Sequence, residues 1–462
     1  DIAAIETKIK EGNDIAELNS FAFDAVTYAI LEKVPNETIT YLLTKKGNGV
    51  NKLTHDGRTY IFWAAYKDNL ELMKYLLSKG AKTDIIDSHG YSLLNFAAVT
   101  GQQNLKLYDF CVANGADVIR EKNRDGANAL LLVAPYVKDV KLIDYFTKKG
   151  VALHSTDNNG NGIFNYTART GNIAMMNKLI QKKVAYKTRN KEGGNAMIFA
   201  SQGTRRATNP LSVFQYLEKK GIDPNVVTAK GITPLHALAY RSKDIDVFEY
   251  FIRKGVDINQ ADEKGNTAFL NAARSNDLNI VTFLSRKVKN INTANKEGQS
   301  ALTMAVLRNT PEVVDFLLKK GADVRITDKK GNNLAYYLIT SYNPGDQKAF
   351  EHKLKALTAK KFAVTTPQKD GNTLFHLAIA ENDLTLLKKI HALGVDVNAK
   401  NNEGVTVLHK AAMKAKNDAI LKYLISIGAD KNVKTAFDES VYDLASENEV
   451  LKKNRININF LK

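Results

Sequence analysis

Hydrophobic and polar residues follow one pattern that recurs along almost the whole chain. In the segment 262–284, a polar turn closes at Gly265, and a short apolar face over 268–273 follows at helical spacing. A second, bulkier apolar face runs over 278–284. Each unit of the pattern therefore predicts a turn and two helices, of which the first is kept thin by its alanines.

The polar turns recur at a nearly fixed distance. Seven of the ten intervals between successive turn glycines measure 33 or 34 residues, and a twelfth turn follows at 437–438. A period of this length is typical of proteins built from stacked repeats, because each unit buries its apolar face against the next. The turn glycines are Gly57, Gly90, Gly126, Gly160, Gly193, Gly231, Gly265, Gly298, Gly331, Gly371 and Gly404.

Short motifs inside these units match one repeat family. Residues 233–236 read Thr-Pro-Leu-His, and 373–376 and 407–409 match that segment in part. The loops at 394–399 and 428–430 begin with Gly, a small residue and Asp. On these residues the chain resembles ankyrin-repeat proteins. The resemblance implies an all-α fold, an ankyrin-repeat solenoid of stacked helix-turn-helix units whose β-hairpin turns project to one side.

The ends of the chain depart from the pattern and suggest a division into parts. We predict atypical N-terminal capping repeats over 1–54, a repeat array over 55–435, and a C-terminal capping unit with a tail over 436–462. Caps of this kind keep the last apolar face of an array away from water. Insertions between the two helices of a unit are expected near 202–209 and 340–346. Both a binding role and neutral loop lengthening stay open for them.

Most second helices are followed by a glycine, which supplies a left-handed helix end. Val184 and Phe362 are interpreted as the residues at that position in two units, and 287–289 also lacks the glycine. A bulky or β-branched residue is penalised at positive φ. We therefore expect these second helices to end in a different way.

The composition narrows the class of protein. The longest apolar run, 129–137, is far shorter than the roughly 20 residues that a membrane-spanning helix needs. The chain has one cysteine, so it has no intramolecular disulfide framework, and we expect Cys111 to be a core thiol. Lys and Arg outnumber Asp and Glu by 66 to 49, for a net charge of +17. This excess favours acidic partners, nucleic acid or anionic membranes, although a codon bias towards Lys and Asn explains it equally well.

The residues that could carry chemistry form no enzyme motif. His236, His376 and His409 occupy the histidine position of the Thr-Pro-Leu-His segment, where the resemblance implies hydrogen bonds to the turn backbone. His55 and His89 lie in turns one repeat apart, and both a role as exposed turn residues and metal ligation stay open for them. We therefore predict no catalytic, cofactor-binding or metal-binding residues and no enzymatic activity.

The resemblance implies instead that a protein partner binds the surface formed by hairpin tips and the exposed face of the first helices. Tyr and Arg are enriched in binding hot spots, and Arg offers a planar donor fork to carboxylates. Gln202-Gly203 and Glu381 interrupt the basic pattern, so a generally solvated, lysine-rich surface stays open as the alternative. The predicted partner-binding residues are Arg58, Tyr66, Lys67, Tyr91, Arg124, Tyr136, Arg169, Tyr240, Arg241, Arg274 and Arg308.

These observations predict a non-enzymatic scaffold or adaptor. Its partner is expected to be an acidic protein or a subunit of a larger complex, bound through a basic Tyr/Arg groove. Electrostatic binding of nucleic acid is the alternative, although base-stacking aromatics interleaved with basic residues are missing. The start at Asp1 and the scarcity of cysteine favour an exported, periplasmic-type location, and a cytoplasmic location is the alternative.

Overall fold

A computed structural model gives the fold and describes residues 2–205 and 207–462. Asp1 and Arg206, which fall in the predicted N-terminal part and the first predicted insertion, lie outside the described residues. The chain forms two compact units. The first runs to Pro234 and includes 253–256, and the second comprises 235–252 and 257–462. The predicted boundaries after 54 and 435 stay predictions.

The first unit consists of short helices in pairs. In chain order they are α1 Ile2–Lys10, α2 Ala25–Leu31, α3 Asn36–Leu43, α4 Tyr60–Tyr66, α5 Leu70–Ser78, α6 Leu93–Val99, α7 Leu105–Ala113, α8 Ala129–Val133, α9 Lys141–Lys148, α10 Ile163–Ala168, α11 Ile173–Gln181, α12 Ala196–Gln202 and α13 Leu211–Lys219. Turns of 3-10 helix lie at His55–Gly57 and Ala134–Tyr136.

The second unit repeats the same arrangement. Pro234 and Arg253, at the ends of its first two helices, belong to the first unit. The helices are α14 Pro234–Leu238, α15 Ile245–Arg253, α16 Ala268–Ser275, α17 Leu278–Ser285, α18 Ala301–Arg308, α19 Pro311–Lys319, α20 Leu334–Thr340, α21 Gln347–Ala359, α22 Leu374–Ala378, α23 Leu384–Ala392, α24 Val407–Lys414, α25 Ala419–Ser426, α26 Val441–Glu447 and α27 Glu449–Lys453. Turns of 3-10 helix lie at Pro344–Asp346, Ile379–Glu381 and Asn459–Leu461.

The repeat packing confirms the predicted all-α fold. In the second unit, α18 packs against its own second helix α19 and against the first helices α16 and α20 of the repeats on either side. In the first unit, α4 contacts α5 and α6 in the same way. Each first helix is buried along most of its length, as in α16 from Ala268 to Ala273. The thin apolar helix that the alanines predict therefore forms the centre of each layer.

The turns between repeats are hairpins whose backbones join one repeat to the next. Within one turn, the amide of Asp262 donates to the carbonyl of Asn266. The following hairpin bonds back to it, because the amide of Lys296 donates to the carbonyl of Lys264 over 2.9 Å. Among the described residues these turns contain isolated β-bridges rather than strands, as at Thr156 and Gly162.

The sequence predicted that the second helices near 184 and 362 end in a different way from the others, and this prediction is wrong. The left-handed residue is Lys183, with φ +58°, and Lys361, with φ +63°. Val184 and Phe362 come one position later and are buried, and their amides close the turn by bonding to Leu179 and Leu357. These helices therefore end in the same way as those followed by glycine, with lysine replacing the glycine at a conformational cost.

Buried asparagines connect the first helices of successive repeats. The side-chain amide of Asn276 donates to the carbonyls of Ala239 and Ser242, one repeat earlier. Asn309 donates in the same way to Ala273. Helix-terminal carbonyls have no partner within their own helix, so each asparagine satisfies acceptors that would otherwise be buried and unpaired. Asn209 and Asn448 bond to Ala168 and Ala412, at the same position of their repeats.

Candidate functional site

Three first helices of the second unit end in, or are followed by, an arginine that reaches solvent. Arg241 follows α14, Arg274 lies in the last turn of α16, and Arg308 is the last residue of α18. Because each occupies the same part of its repeat, stacking places the three side chains at one edge of the layer. We call Arg241, Arg274 and Arg308 the arginine row.

Tyr240 extends the arginine row with an aromatic side chain. Its side chain is 40% exposed, and its backbone carbonyl accepts a hydrogen bond of 3.1 Å from Ser275 in the next repeat. Burial of the ring raises the pKa of the Tyr240 hydroxyl, and the positive charge of Arg274 opposes that rise. Tyr240 and Arg274, two of the predicted partner-binding residues, are therefore neighbours.

Arg169 is the corresponding residue of the first unit, but its guanidinium is held in place. It lies 5.7 Å from the ring centre of Tyr166 and 5.2 Å from that of Phe199. It also donates to the side chain of Gln202 over 3.1 Å. The aromatic rings and the amide hold the planar group in one orientation.

Arg58 is a predicted partner-binding residue whose position does not suit that role. Its side chain is buried, and its guanidinium donates to Asp87 over 2.8 Å and to Asp56 over 3.1 Å. The same group lies 4.5 Å from the ring centre of Phe96. Arg58 joins the first two hairpins through these bonds, so its guanidinium is engaged within the chain.

Two other predicted residues pack on glycines of the preceding repeat. A Cβ atom at Gly90 would lie 2.5 Å from Cγ of Arg124, and one at Gly101 would lie 2.8 Å from Cγ of Tyr136. The backbones therefore leave space that the Arg124 stem and the Tyr136 ring fill. Both side chains still reach solvent.

The remaining predicted residues are only partly accessible. Tyr66 stacks among the rings of Trp63 and Phe96, and the amino group of Lys67 lies over the Tyr66 ring. Tyr91 is half-buried directly after its turn. Tyr66 and Lys67 therefore lie at the end of α4, where the lysine covers the tyrosine ring, and Tyr91 lies near a hairpin tip.

His55 and His89 converge on one carboxylate. Their Nε2 atoms lie 3.3 Å and 3.1 Å from the same oxygen of Asp56. The pKa of Asp56 is lowered, because Arg58 and the two imidazoles outweigh the opposing effect of burial. The two histidines are partly exposed turn residues that join neighbouring hairpins. No group of three or more metal-ligating side chains suited to a metal ion occurs in residues 2–205 and 207–462.

Some lysines near the ends of the second helices are neutralised by carboxylates, whereas others, such as Lys320, only lie over an aromatic ring. Lys149 pairs with Asp109 of the preceding repeat over 3.2 Å and lies over the ring of Tyr145. Lys182 pairs with Asp144 in the same way. By contrast, no carboxylate of the described chain pairs with any of the following arginines: Arg124, Arg169, Arg274 and Arg308.

Comparison of the sequence with known protein families identifies the family of this chain. A family model described as ankyrin repeats in three copies matches residues 26–122, 204–293, 235–328 and 330–435. These segments cover well over half of the chain. The chain belongs to the ankyrin-repeat family. Ankyrin repeats are protein–protein interaction modules and are typically not enzymes.

Individual ankyrin-repeat relatives match parts of the chain. The Notch-regulated ankyrin repeat-containing protein A of Danio rerio is 32% identical over 82 residues, which are 18% of this chain and 72% of that protein. The phosphocholine transferase AnkX of Legionella pneumophila is 26% identical over 193 residues, or 40% of this chain. The chain spans about a fifth of the length of that transferase.

A solved structure has a chain of similar sequence. It is the complex of the Bd0816 predatory endopeptidase from Bdellovibrio bacteriovorus with immunity protein Bd3460. The match has 27% sequence identity, covers 43% of this chain and 97% of that chain, and has a TM-score of 0.35.

The ankyrin histidines have the structural role that the resemblance implied. The amide of Thr373 donates to Nδ1 of His376, so Nε2 carries the proton and donates to the carbonyl of Val405 in the next hairpin. His409 bonds to Thr406 and Val433 in the same way. His236 also bonds to its neighbouring hairpin, at the carbonyl of Asn266.

The remaining sequence predictions concern Cys111 and the membrane. Cys111 is buried, as expected of a core thiol, and burial raises its pKa to about 12. The thiol is therefore protonated at neutral pH. None of the helices in the described part of the chain combines the length and the apolar character that crossing a membrane requires.

Sequence reasoning overlooked the lysines of the hairpin tips in the second unit. Lys329 and Lys330 are both exposed and occupy one tip. The sequence does contain a signal for them, since no other turn in the series has two adjacent lysines before its glycine. Net charge alone did not separate these lysines from those that the structure pairs with carboxylates.

Proposed function

We propose that this chain is a non-enzymatic scaffold that binds an acidic protein, or an acidic subunit of a larger assembly, through the arginine row. The observation that carries the proposal is that arginines without an intramolecular carboxylate partner recur at the same position of successive repeats. Arg58 of the first unit is held by Asp56 and Asp87, whereas Arg274 and Arg308 have no carboxylate partner in the described chain. Tyr240 beside the arginine row adds the aromatic contact that binding hot spots favour.

Charge reversal in the arginine row tests the proposal. The wild type and the Arg274→Glu/Arg308→Glu variant would each be used to capture partners from the native source, with identification by mass spectrometry. A partner that needs the arginine row is expected with the wild type and lost with the variant, because four units of charge change sign at the contact.

A matched variant controls for net charge. Lys348→Glu/Lys355→Glu makes the same change at exposed positions of α21, on the second-helix side of the same unit. It is expected to retain the partner. Equal loss with both variants, or no loss with either, would contradict a specific site at the arginine row.

The nucleic-acid alternative predicts a different outcome. Binding would then fall steeply with salt for any sequence, since phosphate contacts release counterions. Recovery of nucleic acid rather than protein in the same capture experiment would favour it.

For the compartment, we propose an exported, periplasmic-type location on the basis of the single cysteine. Cell fractionation of the native source tests this directly. The chain should be recovered in the envelope fraction, and recovery with cytoplasmic proteins would contradict the proposal.

A further inference from the structure

The hairpin tips of the second unit form a row that backbone hydrogen bonds hold in register. The amide of Lys296 donates to Lys264, that of Lys329 donates to Glu297, and that of Lys369 donates to Gly331. The tips therefore keep a fixed spacing of about 10 Å per repeat, the usual distance between packed helices. We call Lys264, Lys296, Lys329, Lys330 and Lys369 the tip row.

Every lysine of the tip row is exposed, and none pairs with a carboxylate of the described chain. The tips of the first unit differ. Lys230 is ion-paired with Glu192 over 2.6 Å. Arg124 and Lys191 are unpaired, but the uncharged tip 158–159 separates them. Unpaired lysines on four successive tips are therefore a property of the second unit.

The charge pattern of these tips distinguishes between two kinds of acidic ligand. Three of the four tips place an acidic residue beside the lysine, namely Glu263, Glu297 and Asp370. A nucleic acid presents uniform negative charge, so it would meet like charge at each of these tips. A polypeptide can place its carboxylates against the lysines and neutral side chains between them. The pattern therefore favours a protein ligand.

We propose that the tip row binds an extended acidic segment of a polypeptide, centred on Lys329 and Lys330. The four tips span roughly 30 Å, a length that an extended peptide of about 10 residues covers. The proposal rests on the proposed function for the class of partner, and it adds specific lysines at the hairpin tips and an extended acidic ligand segment to that function. The tip row lies at the start of the first helices and the arginine row at their end, about 12 Å away along an eight-residue helix.

A synthetic peptide provides the test. A fluorescein-labelled peptide of about 12 residues, with alternating Glu and Ser, would be titrated with the full chain and followed by fluorescence anisotropy. The Lys329→Glu/Lys330→Glu variant is expected to bind this peptide about tenfold more weakly, or worse, and the difference should shrink as salt screens the charges. The Lys348→Glu/Lys355→Glu variant of α21 is expected to bind like the wild type.

Two further measurements make the result decisive. Circular dichroism of each variant shows whether the repeats stay folded, and Lys329→Gln/Lys330→Gln repeats the test without added negative charge. Equal weakening by the tip and α21 variants would overturn the proposal, as would tighter binding of a labelled single-stranded oligonucleotide than of the peptide.

The Arg274→Glu/Arg308→Glu variant separates the two proposals. If it loses its native partner but binds the peptide normally, both surfaces act and each has its own ligand segment. If the tip variant binds the peptide like the wild type while the arginine variant still loses its partner, the tip row proposal fails and the proposed function stands.

Discussion

The amino group of Lys353 donates a hydrogen bond of 2.9 Å to the carbonyl oxygen of Val306, inside the protein. Val306 is the first-helix position whose counterpart in other repeats bonds to a buried asparagine, as Ala273 does to Asn309. In the repeat that carries the 340–346 insertion, a lysine on α21 performs this role. In this repeat the donor therefore lies on the second helix rather than directly after the first helix.

Removing the Lys353 amino group should destabilise the second unit. Lys353→Met keeps most of the apolar stem but leaves the Val306 carbonyl buried without its donor, which costs about 1–3 kcal/mol. Urea unfolding followed by circular dichroism measures the loss. Lys355→Met, on the exposed side of the same helix, is the control and should change stability little. Equal midpoints for Lys353→Met and the wild type would show that the hydrogen bond adds nothing.

Asn95 is a buried residue whose replacement should stabilise the protein. It occupies the position of the ankyrin histidine, it is fully buried, and neither its amide nitrogen nor its oxygen has a hydrogen-bond partner among the described residues. The next repeat has Leu131 there. Asn95→Leu preserves the size and removes two unsatisfied groups, so we expect stabilisation of about 1 kcal/mol or more. Differential scanning calorimetry would record a higher Tm.

Asn95→Asp is the comparison variant, and it should destabilise the protein. It has the same shape but adds a charge with no partner, so the Tm should fall. Destabilisation by both substitutions would indicate that an ordered water satisfies Asn95.

The three ankyrin histidines should make the fold sensitive to mild acid. Burial lowers the pKa values of His236, His376 and His409 below the ordinary value near 6.5, so the unfolded chain binds protons first as the pH falls. Stability is therefore expected to decrease from about pH 7 to about pH 5. Thermal unfolding across this range measures the slope.

Substitution identifies the groups responsible for that slope. The triple variant with glutamine at these positions should be less stable at neutral pH, because it loses their hydrogen bonds, but flatter across the acidic range. His154→Gln, at an exposed position, should retain the wild-type slope. A slope unchanged in the triple variant would assign the acid sensitivity to other groups.

Asp24 should contribute strongly to the stability of the N-terminal repeats. Its buried carboxylate accepts hydrogen bonds of 2.7 Å from both Lys52 and Tyr60 and one of 2.8 Å from the amide of Thr27. Burial by itself would raise the pKa of Asp24, but these hydrogen bonds outweigh it and lower the pKa. Asp24→Asn leaves the Lys52 charge without its partner, at a cost of about 3 kcal/mol.

The loss at Asp24 should be local, because each repeat contacts only its neighbours. Amide hydrogen exchange should accelerate in α2 to α4 while α24 to α26 stay protected. The carboxylate contribution should also disappear as the pH falls below about 4, since the folded state holds the deprotonated form. Uniform acceleration along the chain would contradict a local role.

The sequence by itself determined the period, the two helices per repeat and the family, because turn glycines and apolar faces are local signals repeated in phase. It also predicted that His376 bonds to backbone. Only the tertiary structure decided which positively charged side chains are exposed and which are buried in ion pairs. The sequence predicted both Arg58 and Arg308 as partner-binding residues, yet one is buried between two aspartates and the other is exposed. The physical reason is that an ion pair depends on which residues of neighbouring repeats the stacking brings within a few ångströms.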